Sequence, residues 1–65
     1  MTSNDQLRRL RHDLSNPLSA ILAETQLLLL RADELDEETV TSLREIEGLS
    51  RRMRTLLQEN LASED

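Results

Sequence analysis

The sequence predicts an all-α chain, an antiparallel two-helix hairpin that homodimerises into a four-helix bundle. Three observations predict it. Leucine dominates the apolar residues, β-branched residues are few and aromatic residues are absent, a composition that favours helices over sheets. The apolar positions recur at three- and four-residue steps in two separate series. Finally, 65 residues without a cysteine have no disulfide or zinc site to staple them, and a single core of this size rarely supplies more than about 3–5 kcal/mol. A lone hairpin leaves one apolar side of each helix in water, so self-association into a bundle is the natural remedy.

Helix one is expected over about residues 4–33. Leu7, Leu10, Leu14, Leu18, Ile21, Leu22, Leu28, Leu29 and Ala32 follow the spacing of one buried helix face. A turn is expected over about 34–36 and helix two over about 37–62, where Val40, Leu43, Ile46, Leu49, Met53, Leu56, Leu57 and Leu61 repeat the pattern. Asp36 suits the N-cap of helix two, and Glu37 and Glu38 suit the positive end of its dipole. No Gly or Pro lies between Arg31 and Thr39, so helix one lacks a stop signal and the pattern alone also permits one continuous helix. The hairpin is preferred because folding back buries both apolar faces. Gly48 interrupts helix two at about 1 kcal/mol relative to alanine, which we read as close approach of the helices. A turn centred near Leu35 sets Gly48 opposite Leu22, Asn16 opposite Arg54 and His12 level with Gln58. The chain reads as a single domain, without repeats.

The formal net charge of −5 argues against binding to nucleic acid or anionic membrane. The longest apolar run, "LLLL" at 27–30, falls far short of the roughly 20 residues that span a bilayer. The start "MTSNDQ" lacks the basic and apolar regions of a signal peptide, so a cytoplasmic location is expected. Every basic residue is arginine. Arg8, Arg9, Arg11, Arg51, Arg52 and Arg54 lie towards the sequence ends, while Asp33, Glu34, Asp36, Glu37 and Glu38 crowd its middle. Other chemistries fail on count. One histidine without cysteine makes a transition-metal site improbable, "DELDEE" lacks the alternation and glycine of a calcium loop, and scattered serines do not make a hydrolase.

The stretch "LRHDLSNPLSAIL", residues 10–22, sets a proline five residues after the only histidine. Taking Leu7, Leu14 and Ile21 as one heptad seam puts His12 on the opposite, solvent-facing side, with Asn16 one turn later. Proline inside a helix loses a backbone hydrogen bond and presses on the carbonyl four residues back, at about 3 kcal/mol or more. One reading makes Asn16 the cap of a helix that begins at Pro17, after a loose tail. The other is one helix bent just below His12, because the apolar phase of Leu7, Leu10 and Leu14 continues through Leu18 and Ile21. We prefer the second.

"HDLSNPL" resembles the H-box of sensor histidine kinases, whose dimerisation and phosphoacceptor domain carries His, an acidic residue, two further residues, Asn or Thr, Pro and Leu. "SAILAETQLLL" and "LREIEGLSRRMRTLLQENL" are similar to the same domain, so the resemblance covers nearly the whole chain. It implies that His12 is the phosphoacceptor and that Asp13 accepts a hydrogen bond from the second ring nitrogen, orienting and activating the first. It implies that Asn16 positions a water for dephosphorylating a receiver, and that Pro17 supplies a bend. The implied partners are a second copy, a response-regulator receiver domain and a histidine kinase ATP-binding domain, in cis or in trans. In the hairpin the arginines of both sequence ends, Arg51, Arg52 and Arg54 among them, meet at the His12 end, where a basic rim is expected to steer the receiver's carboxylate cluster and partly neutralise a travelling phosphoryl group.

The chain has no Gly-rich loop, no P-loop and no lysine, so it is not an autonomous kinase. ATP and Mg are expected in the separate catalytic domain, with no cofactor or metal bound here. A fragment of a longer kinase is the favoured expectation over a stand-alone phosphoacceptor. The alternative function is a helical dimerisation or regulatory module that binds a kinase or receiver without carrying phosphate.

Overall fold

The computed structural model describes residues 3–62 of the chain, and the side chains of residues 5–59. These residues form two helices packed against each other as a hairpin: α1 (Ser3–Leu29), a single 3-10 turn (Ala32–Glu34) and α2 (Glu37–Ala62). No strand occurs among them. Leu61 belongs to α2 by its backbone, but its side chain lies outside the described residues.

Helix α1 runs unbroken from Ser3 with Pro17 in its interior, so Asn16 does not cap a helix that starts at Pro17. The proline lacks the N–H that would meet the Asp13 carbonyl one turn back. Asp13 and Pro17 are both exposed, which puts that orphaned acceptor on the wet side of the helix.

The α-helix ends at Leu29 instead of near residue 33. The Leu30 N–H is shared between the Gln26 and Leu27 carbonyls at 3.1 and 3.3 Å, and the Arg31 N–H donates to Leu28 O at 3.0 Å. Tightening to three-residue bonds satisfies the final carbonyls without a left-handed glycine. Leu35 then extends the chain (φ −108°, ψ 155°), and α2 opens with Val40 N–H donating to Asp36 O at 3.1 Å. The Thr39 hydroxyl donates to the Asp36 carboxylate. That bond is the main cause that holds the Asp36 carboxyl below its ordinary 3.8, with help from the Thr39 and Glu38 backbone N–H groups.

The seam between the helices is narrow and partly polar. On α1 it carries Leu18, Leu22 and Thr25, which are buried, with Leu7, Arg11, Ser15 and Leu29 half-buried. On α2 Ser50 is buried, and Val40, Leu43, Glu47 and Leu57 are half-buried. Thr25 Oγ1 donates to the Ile21 carbonyl at 2.7 Å, and no buried side-chain N or O among the described residues lacks a partner. Gln26 Nε2 donates across the seam to Glu47 Oε2 at 3.4 Å. Gln26 thus meets Glu47 and not Arg44, which a turn centred at Leu35 would place opposite it. The register is shifted by most of a turn, because the reversal is centred beyond Leu35.

The single apolar face expected of each helix divides into two lines. Leu10, Leu14, Ile21 and Leu28 on α1, and Ile46, Leu49, Met53 and Leu56 on α2, face outward and are each at least 41% exposed. Shape explains why. The hairpin measures 50 × 15 × 12 Å with a radius of gyration of 15.0 Å, against about 11 Å for a compact domain of this length. Gly48 is exposed as well, and a Cβ built there meets nothing within 4 Å. The expected close approach at Gly48 is therefore overturned: it lies on the side of α2 away from the seam.

Two outcomes follow from the helix ends and Gly48. Asp36→Ala lowers the thermal midpoint at neutral pH. A carboxyl whose folded value is depressed stabilises fully above its ordinary value and loses that contribution as pH falls through the lower folded one. The midpoint gap between wild type and variant, followed by circular dichroism, therefore closes as pH drops below 3.8. Gly48→Ala has the opposite sign: it removes a helix-interior penalty of about 1 kcal/mol and raises the midpoint by roughly 4–8 °C.

Candidate functional site

His12 lies between the two lines of α1 that organise packing. Leu7, Arg11 and Ser15 face the seam, Leu10 and Leu14 face outward, and His12 stands half a turn from Ile21, on the side that meets neither. Its side chain is 74% exposed. Asp13 follows with its Oδ1 3.8 Å from the His12 Nδ1. That distance suits a charge facing the ring but exceeds a hydrogen bond. The carboxylate therefore stands at Nδ1 without bonding it.

Asn16 is exposed one turn beyond His12 on the same face, and Pro17 follows it inside the helix. The sequence motif is thus presented on one continuous stretch of α1. On the N-terminal side, Asp5, Arg8, Arg9 and His12 line one shallow open groove, and Arg8 Nη1 lies 4.0 Å from Asp5 Oδ1. Arg9 also borders an adjoining groove with Gln6, Leu10 and Asp13. The sequence places Arg8 and Arg9 in a general basic rim at the His12 end without singling them out. Their spacing of four and three residues before His12 was the signal that places them on its face.

The α2 arginines are less close. Arg51, Arg52 and Arg54 are exposed, but with Gln26 beside Glu47 the antiparallel register sets Arg51 beside Leu22 and Arg54 beside Ser19. At a rise of about 1.5 Å per residue, these levels lie about 15 and 10 Å from His12 along the helix axis. Arg51 Nη2 also donates to Glu47 Oε2 at 3.3 Å. The acidic residues 33, 34 and 36–38 are exposed at the turn, the far end of the hairpin from His12.

An exposed imidazole with a carboxylate at one ring nitrogen is arranged to act as a nucleophile through the other. The groove beside it is too open to enclose a small molecule. Among the described residues no group of three or more His, Cys, Asp or Glu can hold a metal ion, and no helix is long and apolar enough to cross a membrane. A family model described as "His Kinase A (phospho-acceptor) domain" matches residues 2–65. No curated protein and no solved structure matches the chain.

Replacing the proline tests the local cost of this arrangement. Pro17→Ala restores the bond to the Asp13 carbonyl and stabilises the chain by up to about 3 kcal/mol. Thermal melting reads the gain, and hydrogen exchange finds the new amide at that position protected.

Proposed function

This chain belongs to the His Kinase A (phospho-acceptor) domain family, and we propose from that premise that His12 carries a phosphoryl group between an ATP-binding kinase domain and a receiver aspartate. Membership implies a phosphoacceptor and dimerisation role in two-component signalling. The observation that carries the assignment to His12 is its placement: 74% exposed, turned from both packing lines, with Asp13 at Nδ1.

In this reading Nε2 attacks the donor phosphorus, and Asp13 closes the remaining distance to accept a hydrogen bond from the Nδ1 N–H, fixing the tautomer as a carboxylate does for histidine generally. Asn16 holds a water for the reverse, dephosphorylating reaction, and Pro17 lets the segments above and below it move separately. Arg51, Arg52 and Arg54, on the turn side of His12, steer the acidic receiver by long-range attraction. ATP and Mg belong to the kinase domain, which acts in cis or in trans. Such a role places the chain in the cytoplasm, where ATP and receivers meet.

The second copy covers the outward apolar lines. The Ile46, Leu49, Met53 and Leu56 series has the 3,4,3 spacing of a bundle seam. The exposed area of 5013 Å² exceeds by several hundred Å² the roughly 4,200 Å² of a folded monomer of this mass, an excess comparable to the about 800 Å² that one partner buries in a stable interface.

The test is transfer of labelled phosphate from a phosphorylated receiver to the purified chain, beside His12→Ala. The expected result is acid-labile, base-stable label on wild type and none on the variant, with both sedimenting as folded dimers. Label on neither chain, with several receivers and a donor kinase domain tried, sinks the carrier reading and leaves a module that binds without carrying phosphate.

A further inference from the structure

Once His12 is phosphorylated, its phosphoryl group carries about two negative charges near the Asp13 carboxylate, with Asp5 lining the same groove. A dianion in that company needs cations within reach. The α2 arginines stand about 10–15 Å away along the axis, and Arg51 is engaged with Glu47. Arg11 is half-buried on the seam side. Arg8 and Arg9 differ: both are exposed, both line the groove that His12 closes, and they precede it by the two spacings that bring helical side chains together. Arg9 reaches the Asp13 side as well.

We propose that Arg8 and Arg9 bind the phosphoryl group on His12, a role that rests on the carrier reading. The Nε2 lone pair forms the N–P bond as the bond from phosphorus to the donor breaks, and that electron pair leaves with the donor group, the carboxylate of an acyl phosphate, ADP from ATP, or ammonia from phosphoramidate. The ring keeps its Nδ1 proton and takes up the positive charge left by the new bond, facing the Asp13 carboxylate. Charge then builds on the phosphoryl oxygens, which the guanidinium forks meet with paired N–H donors. Arg8 Nη1 also lies 4.0 Å from Asp5 Oδ1, an exposed pair with which the phosphoryl dianion competes for the guanidinium.

The chain is phosphorylated chemically with phosphoramidate, a donor that needs no partner, in wild type, Arg8→Gln/Arg9→Gln and an Arg44→Gln control. Glutamine keeps helix propensity, and Arg44 is exposed on α2 near the turn. Phosphorus NMR then follows the pH titration of the phosphoryl group. Two adjacent cations favour its dianion, so the expected result is titration at lower pH in wild type and control than in the double variant. Transfer to a receiver is expected to fall roughly tenfold in the double variant, the size of one exposed charge-assisted hydrogen bond. Arg8→Lys/Arg9→Lys restores the titration in part, which a purely structural role would not require. Superimposable titrations in wild type and the double variant overturn the proposal. Receiver transfer to and from wild-type His12, measured on the same preparations, reads the carrier role separately.

Discussion

Two helices cannot enclose a core, and that constraint shapes the rest of this molecule. Each helix presents two apolar lines about a quarter of a turn apart, and a hairpin covers only one. The inner line is therefore short of apolar surface: Leu18 and Leu22 are its only buried hydrophobic residues among those described, and Thr25 and Ser50 share the interior with them. Leu10, Leu14, Ile21 and Leu28, with their counterparts on α2, remain outside. In the proposed bundle these outer lines meet a second copy. The position of the functional face follows from that packing, because a residue half a turn from Ile21 faces water whether one copy or two are present. The exposure of His12 is thus a consequence of where the apolar lines fall.

The polar part of the seam sets alignment more than stability. Glu47 is half-buried and held by Gln26 and Arg51 at 3.4 and 3.3 Å, distances at the long end for such bonds. Interactions of this kind contribute about 0–1 kcal/mol. Sliding α2 by a turn, however, would set the Glu47 carboxylate against leucine and take it from Gln26, leaving it only Arg51 on its own helix, at a larger cost. A weak pair therefore selects one register, as a single polar residue does in a coiled-coil seam. That choice has a functional result: it fixes how far the α2 arginines stand from His12, and leaves the cations nearest the imidazole to α1 itself.

The helices, their pairing and the Asp36 cap were legible in the sequence, because a 3.6-residue apolar period and an acidic cap before Glu37 and Glu38 are local signals. The end of α1 was not. A helix closed by 3-10 bonds needs no glycine, so nothing near residues 30–35 marks the stop. Gly48 was misread because a glycine's helix cost is visible in the sequence while its surroundings are not, and the side it occupies depends on the α1–α2 register. The division of each apolar face into inner and outer lines was hidden for the same reason, since three- and four-residue steps describe a broad stripe and not which edge meets the partner helix. At the site, the motif announced His12, Asp13, Asn16 and Pro17. The 3.8 Å gap between Asp13 and the ring, and the grouping of Arg8 and Arg9 with His12, depend on side-chain geometry that no motif records.

Pro17 stands at a boundary in the packing as well as in the motif. All four buried residues among those described, Leu18, Leu22, Thr25 and Ser50, lie level with it or on its turn side. On the other side, where His12, Arg8 and Arg9 are carried, α1 has only half-buried contacts at Leu7, Arg11 and Ser15. The bond that the proline deletes is the one to the Asp13 carbonyl, next to the imidazole. The weakest point of the helical ladder therefore coincides with the place where tertiary packing thins out. Local opening is least costly where buried apolar contacts are few and backbone bonds are exposed. In the proposed carrier role, a histidine that faces an ATP-binding domain at one moment and a receiver at another benefits from such an arm, held to a fixed core by a turn that has one bond fewer than its neighbours.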